Sequence, residues 1–90
     1  MSIATGNFVE IVFCWSEWIR IQKVLESTCG DLSPRQVETS NGCEAQVEVA
    51  LSHWACIKSV LDTQSVKYQY IDRSVSDARW VGDPGKCNPC

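Results

Sequence analysis

Hydrophobic and polar positions follow three different rhythms along this chain. Residues 8–14, Phe-Val-Glu-Ile-Val-Phe-Cys, are dense in aromatic and β-branched side chains. That composition predicts a strand buried on both faces, although Phe8, Ile11, Val12 and Trp15 also fit the opening of a long helix. From Ser16 the period becomes helical. Trp18, Ile21, Val24, Leu25 and Cys29 gather on one side at about 100° per residue, and Arg20, Lys23 and Ser27 on the other. Ser16 is the expected N-cap and Gly30 the expected stop, which places a helix at about 16–28.

Residues 30–42 read as a loop, with Ser33-Pro34 and Asn41-Gly42 as turn signals. Two patterns compete beyond it. Asn41-Gly42 can close a hairpin that pairs 36–40 with 43–47. Alternatively, Val47, Ala50, Leu51, Trp54 and Leu61 form one helical face, and Val49, His53, Cys56, Ile57 and Val60 form an adjoining one. The second pattern uses more of the apolar residues, so a central helix over 44–63 is the preferred reading. Val66, Tyr68 and Tyr70 then alternate with Lys67, Gln69 and Ile71, the mark of a half-buried strand. A turn at 72–74, a weaker strand over 76–81 carrying Trp80, and the turn Gly82-Asp83-Pro84-Gly85 complete the chain. The expected fold is therefore α+β: a small, mostly antiparallel sheet of about three strands covered by two helices.

Ninety residues form one domain on this reading, spanning 1–90. Charge changes the picture only by exclusion. The net charge of −3 is spread thinly and no basic stripe is visible, which disfavours nucleic acid as the principal partner. No stretch approaches the roughly 20 apolar residues that cross a bilayer, so no membrane role is expected. The opening MSIATGNFVEIVFCWSEW has no basic start and no long apolar run. It does not read as a secretory leader, and the expected compartment is a reducing cytoplasm.

Six cysteines and a single histidine carry the candidate chemistry. His53-x-x-Cys56 on the predicted helix and Cys87-x-x-Cys90 in the tail make a Cys₃His set that suits one structural zinc. His53, Cys56, Cys87 and Cys90 are the candidate ligands, with no other cofactor expected. Two alternatives stand beside it. The cysteines are packing residues or disulfide partners, Cys43 with Cys29 for example; or Cys-x-Pro-Cys is a dithiol exchange motif, although no helix follows to lower its pKa. Six cysteines allow 15 pairings, and sequence alone does not choose among them.

Catalysis finds little support. One histidine limits acid–base chemistry near neutrality. Glu44 and Glu48, one helical turn apart, read as a solvated face. A protein-binding module is the expected class, a small regulator or inhibitor that occupies a partner's surface; phage or mobile-element inhibitors and immunity-type proteins share this profile. Tyr68, Tyr70 and Trp80, with Arg73 and Arg79, are the expected contact residues, aromatic anchors in a polar rim. The alternative is a zinc-stabilised accessory module that touches nucleic acid through Lys67, Arg73, Arg79 and Lys86.

Overall fold

The computed structural model describes residues 7–90. In chain order the elements are β1 (Phe8–Cys14), α1 (Trp15–Cys29), β2 (Arg35–Thr39), β3 (Gly42–Ala50), α2 (Leu51–Thr63), β4 (Tyr68–Asp72) and β5 (Val81–Gly82). All five strands join one antiparallel sheet in the order β2-β3-β1-β4-β5. Without the two-residue β5, this is the β-α-β-β-α-β arrangement known as ferredoxin-like or split βαβ. The α+β class is as expected; the sheet has five strands where about three were expected.

The central strand β1 explains why both helices lie on one side. Its odd-numbered residues Val9, Ile11 and Phe13 are fully buried against the helix layer. Trp18, Ile21 and Leu25 from α1 meet Ile57, Val60 and Leu61 from α2 over that surface, and Ala45, Val47 and Val49 extend it from β3. Each large side chain so buried contributes about 1.5–3 kcal/mol of transfer free energy, and this face of the sheet is the core. The even-numbered residues of β1 point to the opposite face, which no helix covers.

Helix α1 follows its expected span within a residue at each end. Its N-cap is Cys14, with no side-chain cap bond, so Ser16 is already inside the helix. Gly30 ends it with φ +92°, donating its N–H to the Glu26 carbonyl.

The reading of 44–63 as one helix needs correction. Residues 44–50 belong to β3, and α2 begins only at Leu51. Cys43, Ala45, Val47 and Val49 alternate with Glu44, Gln46 and Glu48, so the period over this stretch is two. The hairpin reading holds instead, shifted by one: Thr39 pairs with Gly42 around Ser40-Asn41. The Thr39 hydroxyl accepts the Asn41 N–H at 3.0 Å and steadies that turn. The expected strand over 76–81 is also shorter, because residues 73–80 form an irregular connection and only Val81 and Gly82 pair with β4.

Three disulfides complete the architecture. Cys29–Cys56 ties the end of α1 to α2, with Cα atoms 6.0 Å apart. Cys14–Cys87 and Cys43–Cys90 fasten the tail to β1 and β3, with Cα separations of 5.3 and 4.8 Å. All three separations fall in the usual range of about 4.4–6.8 Å. The tail also pairs through its backbone: Cys87 N–H donates to the Asn41 carbonyl at 2.7 Å, and Cys43 N–H to the Asn88 carbonyl at 2.8 Å. It thus forms a strap across one end of the sheet. Gly42, at φ +115°, has no Cβ where the Cys87 carbonyl passes, and that close approach requires glycine.

Candidate functional site

The strap separates the expected metal ligands. His53 lies in the first turn of α2, just after β3 ends at Ala50, and is exposed. Cys87 and Cys90 bond to Cys14 and Cys43 at the other end of β1 and β3. Cys56 is bonded to Cys29. All six sulfurs are therefore occupied by disulfides, and no three metal-ligating side chains cluster among the described residues. The Cys₃His zinc set is corrected to three disulfides. The dithiol reading is corrected with it, because Cys87 and Cys90 bond to different strands rather than to each other.

The expected contact face divides in the same way. Tyr68 and Tyr70 sit on the helix side of β4 and pack against Trp54 of α2, with ring centroids 5.8 and 4.8 Å away. Tyr68 also donates its hydroxyl proton to Asp62 at 2.9 Å, while Lys58 donates to the other Asp62 oxygen at 3.0 Å. These two donors, Lys58 foremost, hold the Asp62 carboxyl below its ordinary pKa. Burial, and then the nearby Asp62, push the Tyr68 phenol upward. The two tyrosines thus serve the core edge. Trp80, 43% exposed, lies on the opposite side and lines the uncovered face. Arg73 and Arg79 are exposed, Arg73 reaching Glu10 of β1, and Lys67 and Lys86 border a separate cleft beside the strap. Lys67 and Arg73 flank opposite ends of β4, so the four cations do not form one stripe.

What remains is the uncovered face itself. Strand pairing sets Arg35, Gln46, Val12, Gln69 and Gly82 in one row across all five strands. One row away, Glu48, Glu10 and Ile71 stand side by side, and in the other direction Val37 and Glu44 do. A depression of about 420 Å³ spans these rows, lined by Glu10, Glu44, Glu48, Gln46, Gln69 and Trp80 among others.

Three carboxylates share this depression on unequal terms. Glu10 accepts a hydrogen bond from Arg73 Nε at 2.6 Å and is paired. Glu48 is exposed and has no ion pair among the described residues. Glu44 is only 4% exposed, the one charged residue in the buried set. Its Oε2 receives a long 3.5 Å contact from Asn41 Nδ2, and its Oε1 has no hydrogen-bond donor among the described residues. Among the described residues no unpartnered polar side-chain atom is sealed from solvent, so that oxygen opens on the depression.

Glu44 and Glu48 are the residues that helical reasoning misassigned. A spacing of four puts two side chains on one face in a helix and in a strand alike, so the pair itself was visible. Their surroundings were not, because those come from β1, β2 and the β4–β5 connection. No family model, curated protein or solved structure matches this chain.

Proposed function

We propose that the protein is a disulfide-stapled binding module that docks a partner protein on the uncovered face of its sheet. It works by occupying that partner's surface, in the manner of a small inhibitor or immunity-type protein. The observation that carries this reading is the asymmetry of the two faces. One is sealed by α1 and α2; the other holds an open depression with Trp80 on its rim. Aromatic residues at the edge of a polar recess are typical anchors of protein–protein contact. A catalytic reading has less behind it, since every sulfur is bonded and His53 lies outside this depression.

The disulfides also bear on where the module works. Three bonds among six cysteines favour an oxidising compartment over the expected cytoplasm, because cytosolic thiols are kept reduced.

Affinity capture with three baits tests the docking face: the native chain, Gln46→Arg in the middle of the depression, and Val24→Arg on the exposed side of α1. The expected result is a protein retained by the native chain and by Val24→Arg but lost with Gln46→Arg. Equal capture by all three baits, or loss only with Val24→Arg, moves the docking surface elsewhere and rejects the proposal.

A further inference from the structure

We infer that the partner presents a basic, extended segment, whose arginine or lysine side chains reach Glu44 and the Glu10–Glu48 pair. This deepens the reading of the uncovered face as the docking surface and rests on it.

Three observations converge. Glu44 is a largely buried residue on the depression whose Oε2 takes one long contact from Asn41, and whose other oxygen, without a protein donor, is left open to solvent there. Glu48 faces Glu10 directly across β1 and β3. Like charges placed directly opposite on a sheet repel, and only Glu10 has a cation, Arg73, to offset this. Finally, Trp80 lines the same depression, and an indole ring attracts a cation placed over its face. Local conflicts in an otherwise consistent fold concentrate at functional sites. An incoming cation resolves the Glu10–Glu48 conflict by neutralising Glu48, and it offers a donor to the open oxygen of Glu44. An acidic or purely apolar partner does neither.

The geometry also sets a spacing. Glu44 and Glu48 are four residues apart on one strand, about 13 Å at roughly 3.3 Å per residue. An extended partner segment matches that span with basic residues at positions i and i+4, both on the side facing the sheet. Arg35, at the β2 edge of the intervening row, disfavours a third cation between them.

The probe is a capped pentapeptide with arginine at its first and fifth positions and Ser/Thr between, compared with its citrulline counterpart. Binding is followed by amide and indole chemical shifts on the intact, oxidised protein. The expected result is shifts at Glu44, Gln46, Glu48 and the Trp80 indole with the arginine peptide and none with citrulline. Affinity should fall about tenfold in Glu44→Gln and about threefold in the exposed Glu48→Gln, and further as salt is raised. Because Glu48→Gln alters an exposed side chain, it keeps the test valid even if Glu44→Gln perturbs folding. Equal binding of the citrulline peptide, or shifts confined to other surfaces, overturns the basic-segment inference. If the arginine peptide is silent while capture still depends on Gln46, the partner's chemistry is wrong and the docking face stands. If both tests are negative, both proposals fall.

Discussion

Glu10 on β1 and Glu48 on β3 stand directly opposite each other on the uncovered face of the sheet. Arg73 pairs with the first and leaves the second without a cation among the described residues. Glu48→Gln removes the repulsion while keeping shape and length. The variant should therefore be more stable than the native chain at low ionic strength, by about 0.2–1 kcal/mol. For a domain of this size that is a rise of a few degrees in Tm. The gain should shrink in 0.5 M salt, where the Debye length is roughly 4 Å. A Tm that does not rise at low salt would show that the opposed carboxylates are not in conflict.

The covalent network gives a second expectation. No thiol should react with iodoacetamide in denaturant until a reductant is added, and all six should react afterwards. Paired Cys→Ser variants should each lose about 2–4 kcal/mol in guanidinium titrations. In the chain-entropy account the loss follows loop length. The sequence separations of 73, 47 and 27 then rank Cys14–Cys87 first, Cys43–Cys90 second and Cys29–Cys56 third. If the helix–helix bond proves the costliest to remove, native packing outweighs loop closure here.

Gly42 makes a sharper point about the strap. A methyl group there meets the Cys87 carbonyl, in a backbone conformation that alanine disfavours. Gly42→Ala should cost at least about 2 kcal/mol, in keeping with strain at a special backbone position. It should also make Cys43–Cys90 easier to reduce than in the native chain, as followed by partial reduction and mass mapping. Native-like stability would mean that the strap lies farther from β3 than the structure places it.

Acid should weaken the fold in a defined window. The Asp62 carboxyl is held low first by Lys58 and then by Tyr68, and the Asp72 carboxyl by Ser74. Both have folded pKa values below those of the unfolded chain, which lie near 3.9. Their stabilisation is thus fully present above about pH 5, a unit above the unfolded value, and disappears as pH falls through the lower folded values. Tyr68 has the opposite sign, since its raised pKa favours the protonated fold and weakens it as pH climbs past about 10. Urea midpoints across pH 6 to 2 should fall less steeply in Asp62→Asn than in the native chain. Parallel curves would remove Asp62 from this account.

Much of the fold was legible because two elements carry strong local signals, a β-rich composition in one and a helical stripe in the other. The run from Phe8 to Cys14 and the stripe of Trp18, Ile21 and Leu25 place β1 and α1 almost to the residue. The stretch around Val47 misled for a physical reason. Val47, Ala50, Leu51 and Trp54 satisfy a helical template that extends backward from a real helix, and no breaker separates β3 from α2. The period-two alternation from Cys43 to Val49 was the better local signal. The disulfide pairing was not legible, because Cys14 meets Cys87 only once β1 is central and the tail crosses the strand ends. The same holds for Tyr68 and Tyr70. Alternation shows that they share a side, but not that α2 and Trp54 lie on it.

The strap has a topological consequence. The loops closed by Cys14–Cys87 and Cys43–Cys90 overlap, so every peptide bond between residues 14 and 90 lies within a covalent ring. A protease that nicks the exposed connection at 73–80 therefore frees no fragment. The product is two chains that migrate as one band without reductant and part only when the disulfides are opened. Damage to the backbone and loss of the molecule become separate events, and the second waits on redox chemistry.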